Sequence, residues 1–239
     1  IYRQIQHAKD RPTGYDTNRL LVTTMFDDLN KNYEPLKHDL LQSGLVSDVA
    51  MASSPATGIY WHSNLDYFPG QLPGETVEMG VVRTSDGYFN TMGMQLLSGT
   101  DFTADKAADS GKVILNEAAV KRLRLKDPVN SMIIRAGEKF IVSGVVKDAL
   151  IQSPLGQPEP TMFIRQSGYE SFVLYRLSPA AEPHKAIPAL TAIFDRYNPA
   201  YPYKYEFANE TYDKKFKQEM LAGRLAGIFA VLAIVISCL

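Results

Sequence analysis

The chain is almost without cysteine: its one thiol, Cys238, stands at the end of an apolar stretch, and residues 1–237 have none. That excludes a disulfide scaffold and any thiolate-bound zinc in the globular part. Histidine is scarce as well, and His7, His38, His62 and His184 fall without the spacing of a ligand set. Three signatures are missing: the phosphate-cradling G-x-x-x-x-G-K-[ST] loop, the G-x-S-x-G elbow and H-E-x-x-H. Ser110-Gly111-Lys112 approaches the first but lacks the upstream glycine and the hydroxyl after lysine. Neither charge sign dominates, with 25 Lys and Arg against 26 Asp and Glu, and no basic stripe invites nucleic acid. No catalytic residue, cofactor or metal is therefore assigned, and the chain is not expected to be an enzyme. A signal peptide is also not legible, because the opening IYRQIQHAKDRP is mixed polar and has no apolar core.

What is present divides sharply in two. Most of the chain is charge-balanced and, with 45% apolar residues over 239 positions, rich enough for one large core or two small ones. Residues 225–239 (LAGIFAVLAIVISCL) then carry no charged side chain. As a helix this run covers about 22 Å of a hydrocarbon layer about 30 Å thick. Residues 212–219 (YDKKFKQE) before it are amphipathic, and after Arg224 the polar face disappears. A helix apolar on every side needs lipid or complete burial. The expectation is a connecting helix that begins a membrane span, with Leu225, Phe229 and Leu232 in its first apolar turns; the alternative is a buried C-terminal core helix. Gly223 and Gly227 are either weak points in it or close-packing sites against another membrane helix. By the same logic residues 1–19 are expected to be the exit from an earlier membrane helix, breaking at Arg11, Pro12 and Gly14, although a frayed terminus fits the same residues.

The globular part reads as α+β. Residues 20–24 (LLVTT) predict a buried strand, and Pro35 suits the first turn of a helix that turns Tyr33, Leu36, Leu40 and Leu41 inward until Gly44. A strand over 46–52 completes a β-α-β unit. The grammar returns near the other end, with a strand over 172–177, a helix over 184–197 carrying Ile187, Leu190, Phe194 and Tyr197, and a strand over 203–207. Pro188 requires that helix to hold it in the first turn or to start later. Between the two units, short strands are predicted at 77–84, 112–115, 132–134, 139–146 and 161–164, with short helices at 87–92 and 117–125. Asn116 is the expected N-cap of the second helix, with Val120 and Leu123 inward. The implied segments are 20–57 and 165–209 for the β-α-β layer, 58–164 for a β-rich insertion, and 210–239 for the connecting helix.

One loop stands out. Residues 58–74 (GIYWHSNLDYFPGQLPG) gather Tyr60, Trp61, Tyr67 and Phe68 among prolines and glycines, a composition suited to aromatic anchors on a partner or cargo. The same rings would also serve to cover the join between subdomains. His62 and Asp66 share a face only in a helix, and Pro69, Gly70 and Pro73 predict a loop instead. Asn209-Glu210-Thr211 fits a glycosylation sequon.

Four stretches in order carry a resemblance: 88–102 (YFNTMGMQLLSGTDF), 113–123 (VILNEAAVKRL), 141–148 (IVSGVVKD) and 198–219 (NPAYPYKYEFANETYDKKFKQE), followed by the apolar helix. Together they resemble the extracytoplasmic region of MacB/FtsX-like ABC transporter permeases, and the opening IYRQIQHAKDRPTGYD resembles the exit from their first membrane helix, particularly in permeases of the Bacteroidetes. The resemblance covers nearly the whole chain. Thr100 stands where arginine is usual, Ala149 where an aromatic often follows, and Ala208 where leucine is common. The resemblance implies a porter-like layer with an inserted β-rich, Sabre-like subdomain in the periplasm, at the bacterial inner membrane. It also implies a cytoplasmic ATP-binding subunit, a second permease copy or homologue as dimer partner, and a periplasmic adaptor, lipoprotein or hydrolase as a further partner. The work would be export, lipoprotein extraction or partner regulation driven by ATP hydrolysis in the cytoplasm. The rival function is a membrane-tethered extracytoplasmic ligand-sensing domain.

Overall fold

A computed structural model describes residues 11–165 and 171–237. The expected exit helix at the start of the chain and Cys238 lie largely or wholly outside the described residues. In chain order the elements are β1 (Leu20–Thr24), α1 (Asp27–Lys31), α2 (Tyr33–Gln42), β2 (Val46–Ala52), β3 (His62–Asn64), β4 (Glu78–Arg83), α3 (Tyr88–Met92) and β5 (Leu96–Gly99). They continue with β6 (Lys112–Asn116), α4 (Glu117–Arg122), β7 (Met132–Arg135), β8 (Glu138–Val146), β9 (Thr161–Ile164), β10 (Phe172–Leu177), α5 (Pro183–Tyr197), β11 (Glu206–Phe207) and α6 (Ala208–Ser237).

Two sheets result. The first has the order β11-β1-β10-β2 with antiparallel neighbours throughout, so each β-α-β unit is split by a strand of the other. This is the ferredoxin-like arrangement, interrupted between β2 and β10 by everything from β3 to β9. The second sheet runs β3-β4-β9-β6-β8-β5, with β7 also on β8. It closes on itself: beyond β3, Asp66 N–H donates to the Ile134 carbonyl and Ile134 N–H to that of Tyr67, so the stretch after β3 pairs with β7. The sheets also join, because Ala52 bridges Thr84 and Ser53 N–H donates to the Arg83 carbonyl at 2.9 Å.

Period-two alternation explains the three apolar layers. On β1, Leu21 faces α2 and α5, while Leu20 faces the second sheet. On β10, Val173 and Tyr175 take the helix side and Leu174 the inter-sheet side. On β6, Ile114 enters that same inter-sheet layer, whereas Val113 and Leu115 point into the closed ring with Phe68, Ile133 and Met162. Helix α3 fills the inter-sheet layer with Tyr88, Phe89 and Met92. Asn116 caps α4 as expected, its Oδ1 accepting from Ala119 N–H at 2.9 Å.

Several expectations need correction. Leu41 is 38% exposed, because Tyr33, Leu36 and Leu40 already define the inward face of α2 and the next residue is turned about 100° away. Pro188 lies in the second turn of α5, on its exposed side, where the carbonyl left without a donor can be hydrated; burial of Ala186, Leu190 and Phe194 holds the helix together across it. The strand expected over 203–207 is only two residues long, since Tyr203 stacks on Phe194 instead of extending the ladder. Helix α1 and strands β3 and β5 were not expected; HSN and LLSG lack the β-branched signal.

A polar staple crosses the join. Asp86, just after β4, accepts from Lys37 of α2 at 2.8 Å and from Arg165 at the end of β9 at 2.9 Å. Burial pushes the Asp86 pKa up, but the hydrogen bond and charge of Lys37 and the charge of Arg165 outweigh it and leave it below its ordinary 3.8. Replacing Asp86 with alanine strands Arg165, whose side chain is 5% exposed, and should cost about 3 kcal/mol in denaturant unfolding. A carboxyl with a lowered pKa contributes stability above its unfolded value and loses it on acidification. The wild type should therefore lose this contribution as pH falls below 3.8, and the variant should show a shallower acid limb.

Candidate functional site

The place where the three parts of the chain meet is the base of α6. Its first turns set Ala208, Tyr212 and Phe216 at i, i+4 and i+8, one stripe of a helix. Ala208 is 1% exposed in the inter-sheet layer and Phe216 is 9% exposed. Tyr212 packs on the same layer and meets Tyr15 edge to face at 6.3 Å. Lys215 Nζ donates to the carbonyl of Thr57 and, at 3.4 Å, to that of Gln152, one carbonyl from the loop leading into the insertion and one from the loop leading toward β9. The helix is thus fastened to the first sheet by apolar contact and to the insertion by a cation. The stripe was legible in the amphipathic run before the tail; the lysine's partners were not, because they are backbone atoms remote in sequence.

Beyond this base α6 continues unbroken for 30 residues in all, about 45 Å. Leu225, Phe229 and Leu232 are 46%, 66% and 50% exposed, and the mean hydropathy of the apolar window reaches 2.2. Space around Gly223 and Gly227 is open among the described residues. The segment is a candidate membrane span, since none of that window is covered by the other described residues as a buried core helix would be.

The aromatic loop does not form one patch. Phe68 is fully buried among the side chains inside the closed ring and serves as core, not as a partner or cargo contact. Tyr67 is 42% exposed and sits against β7. Tyr60 and Trp61 are 63% and 52% exposed on the other side of β3. Tyr60 stands edge-on to Phe172 at 5.8 Å and lines, together with Lys215 at the base of α6, a groove of about 690 Å³. Trp61 lies under the Arg83 guanidinium, 6.0 Å from the ring centre. The far end of the loop is clamped by a fork: Arg124 donates to both carboxylate oxygens of Glu75 at 3.0 and 2.7 Å. That hydrogen bond, helped by one from the Leu72 amide, lowers the Glu75 pKa to about 2.

His62 and Asp66 have separate partners. His62 Nε2 lies 2.5 Å from Glu159, and Asp66 accepts from the Gly137 amide at 2.8 Å. Among the described residues no three His, Cys, Asp or Glu side chains converge on a common point.

Against known proteins, the family model described as MacB-like periplasmic core domain matches residues 12–193. The chain belongs to this family. Membership makes it the periplasmic domain of an ABC-type transporter permease, and the family implies membrane association and a cytoplasmic ATP-binding partner. Solved structures agree on the fold. The periplasmic region of MacB from Actinobacillus actinomycetemcomitans superimposes with a TM-score of 0.60 at 15% identity, over 87% of this chain and 97% of that one. The extracellular domain of the noncanonic ABC-type transporter YknZ from Gram-positive bacteria gives 0.53 at 14% identity, over 78% and 97%. No curated protein sequence matches. The MacB-like fold accounts for the α+β layer and its β-rich insertion, and the apolar helix, a candidate membrane span, follows the matched residues.

The burial pattern separates the loop rings by experiment. Phe68→Ala should destabilise the domain by about 3–5 kcal/mol, whereas Trp61→Ala and Tyr67→Ala should each change unfolding free energy by less than about 1 kcal/mol.

Proposed function

We propose that this domain transmits force: nucleotide-driven motion in the cytoplasmic ATP-binding subunit moves the membrane helices, and α6 carries that displacement into the two sheets. In this reading the segment performs no catalysis and holds no cofactor of its own. The observation that carries it is that one unbroken helix runs from Ala208, embedded in the inter-sheet core, to Ser237 in the apolar run. A continuous helix conveys displacement that a flexible linker would absorb. Support also comes from the fastening of its base to both the first sheet and the insertion.

The domain would sit on the periplasmic side of the bacterial inner membrane, beside a second permease copy or homologue. Its output would be export, lipoprotein extraction or regulation of a periplasmic partner such as an adaptor or hydrolase. Tyr60, Trp61 and Tyr67 are the exposed rings through which such a partner or cargo would be engaged.

Inserting Gly-Ser-Gly-Ser after Lys217 in the full-length permease should leave ATP hydrolysis by the complex running while periplasmic work is lost. Retained coupling would overturn the lever. Alanine at Trp61 and Tyr67 together should abolish partner binding or transport with no shift in melting temperature; undiminished transport would remove these rings from the proposal.

A further inference from the structure

Tyr60 is exposed and yet fixed from several sides. Its N–H donates to Ser54 Oγ at 3.1 Å, and its ring stands edge-on to Phe172 of β10. The ring also packs against Gly58, where an added Cβ would lie 3.0 Å from Tyr60 Cε1. Ser54, Ala56, Thr57 and Ile59 are buried, so residues 54–60 form a bracket with little freedom of its own. An aromatic ring set in advance on a surface loses little freedom when a partner contacts it.

The bracket is tied in turn to α6. Lys215 Nζ donates to the Thr57 carbonyl and, at 3.4 Å, to that of Gln152. Gln152 reaches the bracket itself, its side-chain Oε1 accepting from the Ile59 N–H at 2.8 Å. The residues on either side of Gly58 are thus both joined to the helix, Thr57 directly and Ile59 by way of Gln152. Thr211 and Lys215 of α6 line the same groove as Thr57, Tyr60 and Phe172. Lys215 stands about 10 Å along the helix from Ala208, which is embedded between the sheets. Contiguous hydrogen bonds of this kind are what carries energetic coupling between separate parts of a protein.

We propose that Gln152 and Lys215 are positioning residues through which α6 controls Tyr60: tilting the helix about its embedded base shifts residues 57–60 and moves the Tyr60 ring relative to Phe172. The groove beside α6 then changes shape with the nucleotide state of the cytoplasmic ATP-binding subunit, and so does the surface offered to a periplasmic partner. This inference rests on the force-transmitting reading and adds the point at which displacement reaches a contact residue. Gln152 is itself exposed, so its contribution comes through the bond to Ile59 rather than through packing.

The test places meta-fluorotyrosine in place of Tyr60, and in a second sample in place of Tyr212, in the full-length permease assembled with its ATP-binding subunit in lipid nanodiscs. Fluorine NMR compares the nucleotide-free complex with the complex trapped by ATP and vanadate. Both resonances should move between the two states by more than their linewidths. Gln152→Ala should shrink the displacement at Tyr60, and Lys215→Met, which cuts both ties, should abolish it, while Tyr212 keeps moving in each. Gln152→Glu, which keeps an acceptor for the Ile59 N–H, should restore the full displacement. A merely structural glutamine would instead lower the melting temperature of Gln152→Ala and leave the nucleotide response of Tyr60 intact. A Tyr60 resonance that stays still while Tyr212 moves, or a displacement unchanged by Gln152→Ala or surviving Lys215→Met, would overturn the inference and leave the lever standing. If Tyr212 itself ignores nucleotide, the lever falls and the inference falls with it.

Discussion

The apolar layer between the two sheets is the constraint on which the rest of the molecule depends. It draws Leu20, Ala50 and Leu174 from one sheet, Val82, Ile114 and Phe163 from the other, and Ala208 from the final helix. Because both sheets bury a face there, neither can shift without exposing side chains from the other. The small residues matter as much as the large ones. Alanines at 50, 52 and 208 share this layer with the bulky Tyr88, Phe89 and Met92 of α3.

That shared layer changes how the insertion is understood. A β-rich segment spliced into a ferredoxin-like sheet could have hung from it on two flexible strands of chain. Here the end of the entry strand β2 is bridged to the end of β4, and the ion cluster of Lys37, Asp86 and Arg165 crosses the same boundary. Closing the second sheet through Tyr67 and Ile134 also removes free edges that would otherwise invite pairing with other chains.

Much of this was legible from residues alone where periodicity was strong. Strands β1, β2, β9 and β10 begin and end where their β-branched and apolar runs do, and Asn116 announces its helix. Leu20 and Leu21 could be recognised as buried, but not as belonging to different layers, since a strand covered on both faces reads as a continuous apolar run. The strands β3 and β5 escaped because their pairing is set by neighbours rather than by their own side chains. Phe68 was misassigned for a related reason: composition marks a ring as available for contact, and only the fold decides which side of the sheet receives it.

The contact between Tyr15 and Tyr212 places the first described residues of the chain against the root of the last helix. Arg176 reinforces that corner by donating to Asp16 and to the Asn18 and Thr91 carbonyls, tying the incoming segment to the sheet and to α3. Incoming and outgoing backbone therefore share one small region of the surface. On the force-transmission reading proposed above, a pull applied at that corner would swing the domain as a whole, like a gate on its post, rather than draw it out along its length.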